Sequence, residues 1–157
     1  MAAVVIEVSE AAPHLPPRGA LLGLDIGTKT IGVATSDADR RLATGVETIS
    51  RKIFTVDAKR LFALAAERRC VGFVLGLPRN MDGSYGPAAE KVRAFAEKLR
   101  AACGCEVKLW DERLTSVAAQ RSLHEAGRKV KDSREVIDQV AAQLILQGWL
   151  DSQAMLG

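Results

Sequence analysis

A chain of 157 residues with 48% hydrophobic composition is long enough to bury a core without disulfides or a structural metal, so one compact domain is expected. Its formal net charge of +3 neither requires nor excludes a polyanionic partner, and no apolar run approaches the length that spans a membrane. Three cysteines without a second pair at metal-binding spacing predict free thiols in a reducing compartment, and we expect a cytoplasmic protein.

The first third of the sequence predicts a disordered arm followed by an antiparallel meander. Residues 1–18 contain three prolines and no sustained hydrophobic period, so the folded domain is expected to cover residues 19–152. The stretch "LLGLDIGTKTIGVATSD", residues 21–37, has the pattern of strand, turn and strand. "RRLATGVETIS" has the composition of a third strand, and the short connections favour a meander.

The remainder of the chain alternates between helical and strand patterns. The predicted elements are, in chain order, a helix at 56–70, a strand at 71–78, a helix at 86–104, a strand at 106–112 and helices at 115–127 and 133–151. A meander followed by alternating helices and strands predicts an α/β domain whose mixed sheet carries helices on its faces.

One carboxylate interrupts the apolar first strand. Asp25 follows Leu22 and Leu24 and precedes the turn composition of residues 27–30. A carboxylate that is desolvated there without a partner costs several kcal/mol, so it needs a cation, a hydrogen-bond donor or water. From the residues alone, Asp25 is either a turn aspartate bound to nearby amides or a member of a polar site at the strand end.

Two adjacent acids end the last predicted strand. Successive strand residues point to opposite faces, so only one of Asp111 and Glu112 can share a site with acids on other elements. The alternative is that these acids lie at the rim of the fold and pair with Arg113.

Asp138 lies in the predicted last helix. Three glutamines mark the predicted solvent side of that helix, namely Gln139, Gln143 and Gln147. Helical spacing places Asp138 above Ala142 and Ile145, at the shoulder of the apolar face, so its side chain is expected to lean toward the sheet. The alternative is an acid that complements the helix dipole.

Acids on two strand ends and on a helix packed against the sheet are able to converge, but their convergence requires positive charge. Two like charges about 4 Å apart repel by about 1 kcal/mol in water and about 4 kcal/mol at an effective dielectric near 20. Mg²⁺ reverses that repulsion and prefers oxygen ligands. A histidine site is not expected, because His14 lies in the arm and His124 has no ligand partner at metal spacing.

Four stretches together resemble a known family. They are "LGLDIGTKTIGVATSD", "VLGLPRNMDGS", "DERLTS" and "DQVAAQLILQGWLD", and they run in one order from about residue 21 to residue 151. This combination is similar to the YqgF family, also called RuvX, of pre-16S rRNA nucleases and Holliday junction resolvases. The resemblance implies an RNase H-like fold, with a mixed five-stranded sheet of a three-strand antiparallel meander and then parallel strands, and helices on both faces.

The resemblance also implies a site and an activity. The family's acidic residues fall on Asp25, Glu112 and Asp138, as catalytic residues and metal ligands, and Asp111 is kept as a second-rank acid. Such acids hold Mg²⁺ or Mn²⁺, expected as two ions, for hydrolysis of phosphodiester bonds by an endonuclease. The favoured activity is maturation of the 5′ end of precursor 16S rRNA, and the alternative is resolution of Holliday junctions.

The partner implied by the resemblance is nucleic acid, either precursor rRNA or branched DNA, with ribosomal particles as a further partner. Only 4% of the residues are aromatic, so contacts to the backbone are expected rather than base stacking. The sequence leaves monomer and homodimer both open. Candidate contacts are Thr28, Lys29, Arg79, Asn80, Arg113, Thr115, Arg128, Lys129, Lys131 and Arg134, and each charge among them is equally compatible with a solvated surface position.

Two rival functions come from other classes of protein. The stretch from Asp25 to Thr28 also fits the phosphate hairpin of actin-like and sugar kinases, although those enzymes close two lobes over the nucleotide and this chain has the length of one. The second rival is a catalytically silent RNase H-like module that binds nucleic acid. Turnover of ATP favours the first rival, and metal binding without cleavage favours the second.

Overall fold

The computed structural model describes residues 16–78, 82, 84–111 and 134–156. Their helices and strands are β1 (Ala20–Ile26), β2 (Thr30–Ser36), β3 (Ala43–Ser50), α1 (Phe54–Glu67), β4 (Cys70–Leu77), α2 (Pro87–Cys103), β5 (Glu106–Asp111) and α3 (Arg134–Leu156). The helix predicted at 115–127 lies outside the described residues.

The five strands form one mixed sheet in the order β3-β2-β1-β4-β5. Strands β1, β2 and β3 pair antiparallel as a meander, whereas β4 pairs parallel with β1 and β5 pairs parallel with β4. The predicted architecture is therefore confirmed. Because β1, β4 and β5 run in the same direction, their carboxyl ends meet at one edge of the sheet, which also holds the turn into β2.

Helices cover both faces of the sheet, as predicted. On one face α1 and α2 pack through Leu61 and Phe95 against a cluster that includes Leu22 and Leu24 of β1. The neighbouring residue Leu21 points to the other face, where it joins the apolar residues of α3. The alternation of β1 thus gives the central strand two buried faces.

Helix α3 lies very close to the sheet because glycines remove side chains beneath it. A Cβ atom added at Gly23 would lie 2.6 Å from the Cβ of Leu146, and one added at Gly45 would lie 3.1 Å from the Cβ of Gln139. The helix extends to Leu156, beyond the predicted end at residue 151. None of the helices in the described ranges combines the length and apolar character needed to cross a bilayer.

Two predictions on side chains are wrong. Gln147 is only partly exposed, because its amide oxygen accepts the N–H of Ala43 at 2.9 Å and its nitrogen donates to the carbonyl of Arg41 at 2.9 Å. Gln139 is also in contact with the sheet, because it packs on Gly45. Both contacts arise because α3 runs across the meander as far as β3.

The expectation of three free thiols is also wrong. Cys103 and Cys105 form a disulfide, whereas Cys70 is a free thiol. Gly104 ends α2 in the left-handed conformation with φ of 68°, and this reversal brings the Cα atoms of the two flanking cysteines to 5.3 Å. Sequence spacing did not reveal this turn.

The contact between α3 and β1 provides a test of the packing. We expect Gly23→Ala to lower the free energy of unfolding by about 1–3 kcal/mol, because the new methyl group overlaps Leu146 in a layer that has no room to expand. Urea unfolding followed by circular dichroism measures this loss. Gly45→Ala is the matched control, with a smaller loss because its added Cβ would lie 3.1 Å from the nearest atom, against 2.6 Å at Gly23. A larger loss in Gly45→Ala would contradict the packing described.

Candidate active site

Two of the predicted acids lie side by side at the carboxyl end of β1. Asp25 pairs with Gly32 across β1 and β2, and opposed residues of an antiparallel pair point to the same face. On that face the backbone of Asp138 occupies the space where a side chain at residue 32 would lie, with the Cβ of Asp138 at 3.2 Å from an added Cβ. The prediction that Asp138 leans toward the sheet is therefore confirmed.

A hydroxyl group orients the second carboxylate. Thr30 begins β2, and its Oγ1 donates a hydrogen bond to Oδ2 of Asp138 at 2.8 Å. The two residues are 108 positions apart in the sequence, so this bond ties the hairpin of β1 and β2 directly to α3. Thr30 thereby limits the rotation of the Asp138 carboxylate beside Asp25.

The environment of Asp25 disfavours its charged form. Burial, and secondarily the negative charge of Asp138, raise the pKa of Asp25 to about 6. A divalent cation would offset both effects, because it supplies positive charge to the desolvated oxygen atoms. Paired carboxylates are the oxygen donors that Mg²⁺ and Mn²⁺ prefer, so the chemistry of this pair fits such an ion.

The second-rank acid turns away from this pair. In β5, Val107 and Leu109 join the cluster beneath α1 and α2, whereas Trp110 packs against the cluster beneath α3. Strand alternation therefore directs the side chain of Asp111 to the face of α1 and α2, opposite to Asp25. Glu112 lies outside the described residues.

The third predicted acid, Glu112, falls between the described ranges 84–111 and 134–156. Within the described ranges, no group of three or more histidine, cysteine or acidic residues is arranged to hold a metal ion. The pair formed by Asp25 and Asp138 thus supplies two of the three predicted ligands.

Three of the predicted nucleic-acid contacts fall on described residues. Thr28 and Lys29 are exposed in the turn between β1 and β2, immediately after Asp25. Arg134 is the first residue of α3, four positions before Asp138. The others lie outside the described residues, and they are Arg79, Asn80, Arg113, Thr115, Arg128, Lys129 and Lys131.

The sequence analysis did not assign a role to Thr30 or Gly32. A glycine within a strand often marks a close approach of another backbone, and Gly32 is such a residue. That signal was available in the sequence. No comparable signal identified Thr30, because its role depends on a partner in a distant helix.

A family model and two named relatives match most of this sequence. The sequence model of a family described as "RuvX: Holliday junction resolvase" matches residues 19–152. A protein of Nitrobacter hamburgensis named "Putative pre-16S rRNA nuclease" is 58% identical over 156 residues, which cover 99% of this chain and 96% of that protein. A protein of Rhodopseudomonas palustris with the same name is also 58% identical, with 99% of this chain and 98% of that protein covered.

Solved structures with a similar fold have little sequence similarity. Thermus thermophilus RuvC in complex with a Holliday junction substrate aligns with a TM-score of 0.56 at 9% identity, covering 87% of this chain and 96% of that one. The fowlpox virus resolvase in complex with Holliday junction DNA aligns with a TM-score of 0.53 at 9% identity, covering 85% of this chain and 98% of that one. At such identities the likeness shows the fold alone, and it agrees with the expected RNase H-like α/β architecture.

The raised pKa of Asp25 predicts an unusual dependence of stability on pH. The folded protein binds the Asp25 proton more tightly than the unfolded chain, so ionisation of this group lowers the free energy of unfolding as the pH rises through the interval from 3.8 to about 6. In ion-free buffer at pH 7.5 we expect Asp25→Asn to be more stable than the wild type by on the order of 2–3 kcal/mol. The difference should vanish near pH 4.

Denaturant unfolding at the two pH values measures this difference. Asp37→Asn is a control of opposite sign, because hydrogen bonds from the Arg41 and Leu42 amides lower the pKa of Asp37. That variant should lose stability at pH 7.5. If Asp25→Asn is less stable than the wild type at pH 7.5, the electrostatic description of the acid pair is wrong.

Proposed function

The chain belongs to the RuvX family, and from this membership we propose that it is a metal-dependent endonuclease that hydrolyses phosphodiester bonds in nucleic acid. The observation that carries the proposal is the pair of Asp25 and Asp138, which two separate elements hold on one face at the carboxyl end of β1. A pair of like charges in a largely buried position opposes folding, so its presence calls for a cationic ligand.

We propose Asp25, Asp138 and Glu112 as the ligands of Mg²⁺ or Mn²⁺. The register of β5 supports Glu112, because Trp110 packs on the α3 face and a strand that continued for two more residues would return to that face. When bound, such ions supply positive charge for the attacking water and the leaving oxygen. The chain itself contributes the hydroxyl of Thr30, which keeps the Asp138 carboxylate oriented.

The exposed turn beside the acids is suited to contact the nucleic-acid backbone. Lys29 and Thr28 supply a charge and a hydroxyl next to Asp25, and contacts of this kind position a strand without reading its sequence. Cleavage should therefore weaken as salt rises, because each phosphate contact releases counterions.

We propose precursor 16S rRNA as the substrate, with maturation of its 5′ end in the cytoplasm, on ribosomal particles or on free RNA. The names of the relatives at 58% identity support this choice. The description of the matched family favours a second candidate, the Holliday junction. Both substrates are phosphodiesters, and the same acids serve either reaction.

Parallel digestion of a precursor 16S rRNA fragment and a four-way DNA junction tests the proposal. We expect Mn²⁺- or Mg²⁺-dependent cleavage that EDTA abolishes. Asp25→Asn and Asp138→Asn should each reduce the rate by more than about 100-fold, since even the partners of metal ligands are worth 10- to 100-fold. Asp151→Asn, an exposed acid of the same helix, is the matched control with an unchanged rate.

The outcomes separate the candidates. Preferred cleavage of the RNA supports maturation of rRNA, and preferred cleavage of the junction supports the second candidate. Binding of both nucleic acids without cleavage of either supports a silent module. Equal rates for the wild type and Asp25→Asn would show that a contaminating nuclease, rather than this acid pair, cuts the substrate.

A further inference from the structure

Arg51 binds the turn between β1 and β2 with both its backbone and its side chain. It follows β3, and its N–H donates to the carbonyl of Lys29 at 2.9 Å. Its Nη1 donates to the carbonyl of Gly27 at 2.7 Å. Two carbonyl groups of one turn are therefore fixed by a single residue of the neighbouring strand connection.

Groups from α1 and α2 hold the guanidinium in place from the other side. Oδ2 of Asp57 lies 3.9 Å from Nε of Arg51, and the Asp57 side chain is only 1% exposed. Both Asp57 oxygens also accept the N–H of Lys52, at 3.0 and 3.2 Å. The ring centroid of Phe95 lies 5.4 Å from Cζ of Arg51, a cation–π contact. Two groups that do not belong to the turn, the Asp57 carboxylate and the Phe95 ring, thus contact the guanidinium.

The turn bound by Arg51 connects the strand that carries Asp25 to Thr30, which orients the carboxylate of Asp138. Asp25 lies in β1, two positions before Gly27 of the turn, and Thr30, the donor to Asp138, begins β2 directly after the turn. The turn already closes through a hydrogen bond from the Gly27 N–H to the Thr30 carbonyl at 2.9 Å. Arg51 is not needed to form the turn, and its contacts instead fix where the turn lies relative to the sheet.

We infer that Arg51 is a positioning residue, which holds the turn so that the carboxylates of Asp25 and Asp138 stay aligned for a divalent cation; the inference rests on the proposed function. Asp57 and Phe95 act through Arg51. The path links the helices on one face of the sheet to the acid pair on the other.

Loss of a positioning residue has kinetic effects that differ from those of losing a residue that binds the substrate. Loosening the turn lets the Thr30 hydroxyl and the Asp25 carboxylate move apart, so cation affinity and kcat fall while KM for the nucleic acid stays nearly constant. A residue that binds phosphate instead raises KM and leaves the cation affinity unchanged.

The test compares Arg51→Met with Arg60→Met. Arg60 is a matched control, because its guanidinium is also held by a carboxylate, through bonds of 2.9 and 2.6 Å to Glu47, but on the exposed surface of α1 and β3. Titration calorimetry with Mn²⁺ alone and cleavage kinetics on the full chain are the readouts. For Arg51→Met we expect an Mn²⁺ affinity about 10-fold weaker, a kcat about 10-fold lower and a KM within about twofold.

Two more variants keep the test decisive if Arg51→Met folds poorly. Arg51→Lys retains a donor for the Gly27 carbonyl and should recover most of the Mn²⁺ affinity, to within about threefold of the wild type. Asp57→Asn should lower the Mn²⁺ affinity in the same direction as Arg51→Met. The double variant Arg51→Met/Asp57→Asn should be no worse than Arg51→Met, since both changes release the same turn.

The inference is overturned if Arg51→Met binds Mn²⁺ as Arg60→Met does with unchanged kcat, or if only KM rises. If Arg51→Met does not fold, the same result for Asp57→Asn overturns it. If the wild type binds Mn²⁺ without cutting either substrate and Arg51→Met weakens that binding, the positioning role stands and the nuclease proposal fails. A wild type that binds no Mn²⁺ overturns both.

Discussion

The site depends on the close contact between α3 and β2 at Gly32, a residue that has no side chain. Any side chain at position 32 would collide with the backbone of Asp138, so only glycine lets the helix approach at this point. Because Gly32 lies opposite Asp25 in the hairpin, the same contact brings two carboxylates together. The sequence keeps an arrangement that raises the pKa of a buried acid, which is a cost to stability expected at functional sites.

The sheet divides the support of this site between its two faces. On the α3 face, Gly23 lets α3 approach β1 closely and Gly45 lets it approach β3 closely, as Gly32 does for β2. On the opposite face, the apolar layer beneath α1 and α2 includes Phe95 and surrounds the buried carboxylate of Asp57. These groups contact Arg51, which in turn binds the turn after β1. The acid pair therefore depends on the packing of both layers, although its own side chains lie on one face.

Much of the fold was predictable from the sequence, because strand alternation and turn composition are local signals. The helical phase of Asp138 was sufficient to place it against the sheet, since the neighbouring positions Ala142 and Ile145 are apolar. The same argument was wrong for Gln147, because a helix that packs across five strands has more than one contacting side. The disulfide of Cys103 and Cys105 was not predictable, because it depends on the backbone reversal at Gly104.

Only those site residues whose type or position in the sequence indicates a role were predictable. Alternation predicts that Asp111 and Glu112 cannot both face Asp25, and the packing of Trp110 on the α3 face directs Asp111 to the opposite face. Thr30 and Arg51 act through partners that the sequence does not reveal, a carboxylate on α3 and a carbonyl in a turn. Residues that bear charge can be found by their type, whereas residues that position them are found only by their contacts.

The geometry of the acid pair also bears on the choice of substrate. If the acid pair forms the cleavage site, as proposed, it cuts one strand at a time, so trimming an RNA end requires a single copy of the chain. Symmetric cleavage of a four-way junction requires two copies that present their sites to opposite strands. With 4% aromatic residues, the chain has few side chains on which to stack bases, so backbone shape must provide most of the recognition in either reaction. Self-association therefore discriminates between the two substrates, because only the junction needs a second site at a fixed distance.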